Sequence, residues 1–95
     1  MRSIFILAFP DAQLLDITGP LQVFASANEL AADSGRPRPY AARVVAMDAG
    51  AVTTSSGLAV VADSLRSVGK AIDTLMVPGG RGVEAASQDA RLTRW

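Results

Sequence analysis

The polar and hydrophobic positions of this chain form three short apolar runs, at residues 3–9, 42–47 and 73–77. Each run stops at turn residues: Pro10-Asp11, Asp48-Ala49-Gly50 and Pro78-Gly79-Gly80. Short continuous runs of this kind predict strands buried on both faces of a parallel sheet. A short buried helix is the alternative for the first run, but its β-branched and aromatic residues favour a strand.

Between the first two runs, apolar residues recur at the spacing of one helix face: Val23, Phe24, Ala27, Leu30 and Ala31. This pattern predicts an amphipathic helix. Pro20 suits the first turn of a helix, where its missing N–H has no intrahelical acceptor. We therefore expect the helix to begin between Asp16 and Gly19 and to end at Ser34.

The remaining segments complete an α/β pattern. Residues 52–54 and 58–61 flank Ser55-Ser56-Gly57 and predict a small hairpin, which we expect to lie outside the main sheet. Residues 83–87 predict a helix, and residues 92–95 predict the start of another. The three apolar runs should be parallel, with the first between the other two, because crossovers are right-handed.

Composition and charge exclude several classes of function. Nine basic residues balance nine acidic ones among the 95, so no net charge attracts nucleic acid or an anionic membrane. The chain contains no cysteine and no histidine, which removes disulfide scaffolds, Cys/His zinc sites and triads built on thiolate or imidazole. The first apolar run is too short for a membrane span, and Pro10, Asp11 and Asp16 interrupt any signal peptide. We expect a cytoplasmic protein.

The glycine turn at Pro78-Gly79-Gly80-Arg81-Gly82 follows a predicted strand and precedes a predicted helix, where α/β sheets place ligand sites. Its glycines allow backbone N–H groups to face a developing oxyanion. A tight strand-to-helix turn explains the same residues without any ligand. A dinucleotide fingerprint at Gly80, Gly82 and Ala85 is a weaker alternative, since no acidic residue follows about twenty positions later.

Asp16 follows the first predicted strand and should lie beside the glycine turn at the carboxyl edge of the sheet. Asp16 or Thr18 could simply cap the following helix. Alternatively, the Asp16 carboxylate orients, or exchanges a proton with, a nucleophile on another strand. Arg36, Arg38 and Arg43 form a local basic cluster, which a solvated loop explains and for which phosphate binding is the alternative.

Two segments resemble the amino-terminal signatures of the ThiJ/PfpI superfamily. Residues 9–24, FPDAQLLDITGPLQVF, resemble its opening, and residues 73–80, DTLMVPGG, are similar to its third-strand motif. The resemblance implies the class I glutamine amidotransferase-like fold, an α/β three-layer sandwich with a mostly parallel sheet in flavodoxin-like order. Residues 1–95 would be its amino-terminal part, so we expect a truncated domain whose third strand lacks a neighbour.

Within the superfamily, the DITGPLQVF segment at 16–24, with ASAN at 25–28 and TSSG at 54–57, most resembles the sensor half of AraC-type transcriptional regulators. This resemblance implies a ligand-sensing or dimerisation domain whose DNA-binding part is absent from these residues. Isocyanide hydratase shares the D-x-T-G-P-x-x-V-F pattern and is the alternative. In that enzyme group the aspartate matching Asp16 acts with a cysteine, which would lie beyond Trp95, and groups matching Gly79 and Gly80 border the pocket.

The resemblance and the residue pattern together predict a pocket lined by Asp16, Thr18, Gly19, Pro78, Gly79, Gly80 and Arg81. Asp16 is catalytic only in the enzyme interpretation, and the chain by itself should be inert. A purely structural dimerisation module would instead fill this pocket with side chains. We expect no cofactor and no metal ion. The expected partners are an unknown small molecule and either a second copy of the chain or the remainder of a longer one, with no direct DNA contact and no membrane.

Overall fold

The computed structural model of the protein describes residues 1–69 and 71–95, which form an α/β fold built on one five-stranded sheet. The strands are β1 (Arg2–Leu7), β2 (Tyr40–Ala46), β3 (Gly50–Thr53), β4 (Ala59–Ser64) and β5 (Thr74–Met76). The α-helices are α1 (Leu14–Asp33), α2 (Val83–Gln88) and α3 (Ala90–Arg94), and a 3-10 helix spans Leu65–Ser67. The strand order is β3-β4-β2-β1-β5, and only β3 runs antiparallel to its neighbour.

The most hydrophobic run of the sequence forms the centre of the sheet. β1 lies between β2 and β5 and is parallel to both, with Ile4 opposite Ala42 on one side and Thr74 on the other. All side chains of residues 4–9 are buried. A strand with a neighbour on each side and packing on both faces requires this uninterrupted apolar pattern. The predicted α/β class and the central place of the first strand are confirmed.

The hairpin of β3 and β4 joins the sheet, so the prediction that it lies outside is wrong. Its two strands pair antiparallel from Gly50 opposite Ala62 to Thr53 opposite Ala59. β4 then continues beyond the hairpin and pairs in parallel with the end of β2, through Asp63 and Ser64. The prediction ended this strand at residue 61, and the polar Asp63 and Ser64 gave no sign of continued pairing.

Helix α1 begins earlier than its proline suggested. The helix starts at Leu14, after Gln13 in extended conformation, so Pro20 lies inside it and not in its first turn. Neither Asp16 nor Thr18 is the N-cap, and the Gln13 side chain makes no capping hydrogen bond. A proline at this position removes the N–H that would bind the carbonyl of residue 16. Tertiary contacts of the first turn therefore outweigh this local preference.

The sheet-facing side of α1 differs from the predicted one. The side chains turned inward recur at positions 17, 21, 24, 28 and 31, and they include the buried Ile17 and Ala31. Val23 and Leu30, assigned to the buried face by their spacing, are 66% and 67% exposed. The buried face contains the polar Asn28, which a purely hydrophobic pattern cannot include. None of the helices in the described residues is long and apolar enough to cross a lipid bilayer.

Asn28 joins α1 to the start of β2. Its side-chain amide donates to the Tyr40 carbonyl oxygen at 2.8 Å, and its Oδ1 accepts from the Tyr40 N–H at 3.0 Å. The Tyr40 ring also packs edge-on against Phe24, with 4.9 Å between ring centroids. One side chain therefore satisfies both backbone groups of the first residue of β2 and sets where that strand begins.

We predict that Asn28→Ala lowers the free energy of unfolding by about 1–3 kcal/mol, because it leaves the Tyr40 N–H and carbonyl without partners in a partly buried position. Urea denaturation followed by circular dichroism measures the change. Gln22→Ala is the control, since within the described residues the Gln22 side chain bonds only Ser26, on the exposed side of the same helix. Equal losses in the two variants would contradict the assigned role of Asn28.

Helix α3 is held at its start by its own N-cap. The Asp89 side chain accepts from the Arg91 N–H at 3.0 Å, and its other oxygen lies 3.5 Å from the Arg91 guanidinium. Partial desolvation raises the pKa of Asp89, but the hydrogen bonds and charge of Arg91 outweigh it and hold the pKa below its ordinary 3.8. The Arg91 guanidinium pKa is raised by the same carboxylate and by Asp48.

The lowered pKa of Asp89 predicts that α3 loses its cap in acid. A carboxylate with a lower pKa in the folded state stabilises at pH above its unfolded value, near 3.9, and this contribution disappears as pH falls through the folded value. In an NMR titration the Arg91 amide signal should move with the Asp89 carboxyl, at a midpoint below 3.8. Asp89→Asn, which can still cap, should abolish that movement. A midpoint at or above 3.8 would contradict the prediction.

Candidate functional site

The carboxyl edge of the sheet is organised by the loop that follows β1. The Asp11 N–H donates to the Thr53 carbonyl at 2.9 Å, and the Ala12 carbonyl accepts from the Ser55 N–H at 3.0 Å. The Gln13 N–H donates to the Gly79 carbonyl at 2.9 Å. The β3–β4 hairpin and the glycine turn, which are far apart in the sequence, therefore both bond to residues 11–13.

Asp16 meets the glycine turn directly. Its Oδ2 accepts a hydrogen bond from the Gly79 N–H at 2.9 Å, across 63 positions of sequence. Asp16 is the third residue of α1, so the amino end of the helix also favours its negative charge. Within the part of the chain described, Oδ1 accepts no hydrogen bond. That exposed oxygen is available to a donor on a bound molecule.

The glycines of the turn allow close approach between backbones. Gly80 has φ +109°, and a Cβ there would lie 2.6 Å from the Gln13 nitrogen. A Cβ at Gly82 would collide with the Pro10 carbonyl oxygen. The Gly82 N–H donates to the Asp11 carbonyl at 3.1 Å, so the turn packs tightly on the loop after β1. The glycines therefore form a tight strand-to-helix turn, and the same turn also contacts Asp16.

The other predicted site residues are spread around this contact. The Thr18 hydroxyl donates to the Leu14 carbonyl within α1 at 3.2 Å, and a Cβ on Gly19 would come within 4 Å of no atom outside its own helix in the part of the chain described. Arg81 is exposed in the turn, and no ion pair of the described residues includes it. Pro78 is buried. The structure thus brings Asp16 to Gly79, while Thr18 is engaged within its own helix.

The sequence prediction missed one contributor to this edge, the turn between β3 and β4. Thr54 is 1% exposed, and its hydroxyl donates to the Leu58 carbonyl at 2.7 Å and bonds the Ser56 hydroxyl at 3.0 Å. This polar cluster fixes the turn so that Ser55 reaches the loop after β1. The cluster of small hydroxyl residues was a signal for a turn, but its docking partner was not visible in the pattern.

Two cavities lie near this edge. One, of about 550 Å³, extends between the β2–β3 turn and helices α2 and α3, and the other, of about 370 Å³, lies between β5 and α3. Of the predicted pocket residues, Pro78 lines the smaller cavity, and Asp16 lines neither. Among the described residues no group of three or more His, Asp or Glu side chains is arranged to hold a metal ion. The chemistry present at Asp16 is hydrogen-bond acceptance by a carboxylate.

We predict that Gly82→Ala lowers the free energy of unfolding by about 2–4 kcal/mol, because its methyl group would force the Pro10 backbone away. Gly69→Ala is the matched control, since a Cβ there meets no atom of the described residues within 4 Å apart from its chain neighbours, and it should change stability by less than about 0.5 kcal/mol. Chemical denaturation of both variants measures the difference. Similar stabilities would show that the glycine turn does not pack on this loop.

This chain is similar to proteins of known sequence and of known structure. No protein-family model matches the sequence. A curated protein from Streptomyces lividans, described as an uncharacterized protein in the cpoL 5' region, is 38% identical over 79 residues, which are 83% of this chain and 52% of that protein. The chain therefore spans about half the length of the curated relative it matches.

Solved structures share the fold of this chain, and this chain covers less than half of each of the two described next. A ThiJ/PfpI family protein from Pseudomonas syringae matches with TM-score 0.81 and 26% identity, covering 98% of this chain and 35% of that one. An AraC family transcriptional regulator from Pseudomonas putida matches with TM-score 0.69 and 26% identity, covering 84% and 48%. These matches, at 26% identity over most of this chain, show that the chain belongs to the ThiJ/PfpI superfamily.

Proposed function

We propose that this chain is the amino-terminal part of the ligand-sensing domain of an AraC-type transcriptional regulator. The observation that carries the proposal is the exposed Asp16 carboxylate, held by Gly79 with one oxygen open, in a chain that contains no thiol and no imidazole. Such a site can bind a hydrogen-bond donor, but the chain supplies neither a thiol nucleophile nor an imidazole base to it. The similarity to the Pseudomonas putida regulator supports the same assignment.

The charge distribution supports a sensor that leaves DNA to other residues. Binding to DNA depends on Lys and Arg side chains that neutralise several phosphates. This chain has nine basic and nine acidic residues. Two of its arginines, Arg43 and Arg91, are paired with carboxylates. In the proposal, DNA contacts belong to a separate helix-turn-helix domain.

The proposal includes a partner for the outer edge of the sheet. No strand of the described residues pairs with the free side of β5. Val77, just beyond β5, is 64% exposed, and Trp95 is 44% exposed. Unpaired edge groups beside apolar side chains favour association with further backbone. A second copy of the chain or additional residues of the same protein would supply it.

An isocyanide hydratase-like enzyme is the alternative, and the same carboxylate favours it. In that proposal Asp16 would orient a cysteine from a segment outside these residues, or exchange a proton with it. Hydration adds water across the isocyanide carbon and gives an N-substituted formamide. The two proposals therefore differ in a product that can be detected.

We predict that small molecules that stabilise the chain in a thermal-shift library screen and also move the Gly79 amide NMR signal lose at least about tenfold in affinity in Asp16→Asn, because a hydrogen bond to a charged acceptor is lost. Isothermal titration measures the loss for each compound. Glu29→Gln removes the same charge on the exposed side of α1 and should leave the affinities unchanged.

The enzyme alternative is tested with cyclohexyl isocyanide on a longer form that includes the segment proposed to carry the cysteine, because the 95 residues contain no cysteine and should be inert under either proposal. The sensor proposal expects no N-cyclohexylformamide above the buffer rate. Formamide production that disappears in Asp16→Ala would support the hydratase and overturn the sensor assignment. Ligands that move the Gly79 amide NMR signal and yet bind equally well to wild type and Asp16→Asn would overturn the role of Asp16.

A further inference from the structure

The larger cavity is lined in large part by alanine side chains, together with larger apolar ones such as Phe9 and Leu92, and is separate from the Asp16 contact. Its walls include six alanines: Ala8, Ala46, Ala49, Ala51, Ala85 and Ala86. Its volume of about 550 Å³ falls in the range of small-molecule sites. Neither Asp16 nor Gly79 lines it. Because alanine side chains are short, the walls leave a mostly apolar space, partly open to solvent, between the β2–β3 turn and helices α2 and α3.

Three charged side chains border this space. Arg91 on α3 lies 3.4 Å from Asp48 in the β2–β3 turn and 3.5 Å from Asp89. One guanidinium therefore serves two carboxylates, and the border carries a net charge of one negative unit. The pair with Asp48 also links the two walls of the cavity, since its members come from elements 43 positions apart.

From this arrangement we propose that the cavity binds a compact hydrocarbon body that carries an ammonium group. The alanine walls suit a rigid apolar body, which gains by leaving water. A carboxylate or phosphate ligand would be repelled by the Asp48 and Asp89 carboxylates, because the single positive charge of Arg91 is shared between them. An anionic ligand is therefore disfavoured. An ammonium would instead bond an oxygen of Asp48, a side chain that is 68% exposed and so accessible. This site is independent of the proposed function at Asp16.

Three ligands with one body and different head groups test the proposal: adamantan-1-amine, adamantan-1-ol and adamantane-1-carboxylate. Two-dimensional NMR of the alanine methyl groups follows each titration. We expect the amine to bind with a dissociation constant on the order of 1 mM, as ligands of this size do. It should bind about two- to fivefold tighter than the alcohol, the gain of an exposed ion pair, and the carboxylate should bind weakest.

Matched variants separate the cavity from the rest of the surface. Ala85→Leu fills the cavity with little change in helix propensity and should weaken all three ligands at least about fivefold. Ala90→Leu makes the same change on α3, at a residue that does not line the cavity, and should leave the affinities unchanged. Asp48→Asn should reduce the preference for amine over alcohol by about twofold or more, whereas Asp33→Asn on α1 should not.

The proposal fails if the amine does not bind, if the carboxylate binds as tightly as the amine, or if Ala85→Leu and Ala90→Leu behave alike. Asp16→Asn distinguishes this site from the proposed sensor site. Unchanged amine affinity in Asp16→Asn supports two independent sites, so failure at one leaves the other standing. A loss of amine affinity in that variant would overturn the independence of the cavity.

Discussion

Backbone hydrogen bonds to residues 11–13 are the constraint on which the carboxyl edge of the sheet depends. Two of them fasten the β3–β4 hairpin through Thr53 and Ser55, and two fasten the glycine turn through Gly79 and Gly82. The loop can bond both the hairpin and the glycine turn because Asp11 adopts φ +61°. Aspartate tolerates this left-handed conformation better than most residues. Without these bonds, the hairpin and the glycine turn would not be held to the same loop.

The position of Asp16 follows from this anchoring. The loop brings the first turn of α1 against the glycine turn, and the Gly79 N–H then finds the carboxylate at 2.9 Å. A carboxylate used as an N-cap would have been turned toward its own helix. Because the helix begins two residues before Asp16, the side chain is instead free to contact another loop. Its role is set by the backbone around it as much as by its own chemistry.

Much of the sheet could be predicted from the sequence, because β1 is buried on both faces and its pattern has few alternatives. The convergence of Asp16 with the glycine turn also followed, since carboxyl ends of parallel strands share one edge. The inward face of α1 did not follow, because Asn28 on that face satisfies backbone groups and breaks the hydrophobic pattern. The docking of Ser55 depends on backbone groups of Ala12, which carry no sequence signal.

The connection between β2 and β4 has a consequence for how the protein can acquire binding sites. Parallel neighbours are usually joined by a helix that covers the sheet, but here the connection is the hairpin arm of β3 and β4 itself. Among the residues that the structure describes, no crossover helix therefore occupies the space above the end of β2, and the short α2 and α3 border it. Substitution of a few alanines would change the size and polarity of this space without touching the central strand or the Asp16 contact. The topology thus separates the lining of the cavity from the contacts that hold the sheet and the glycine turn.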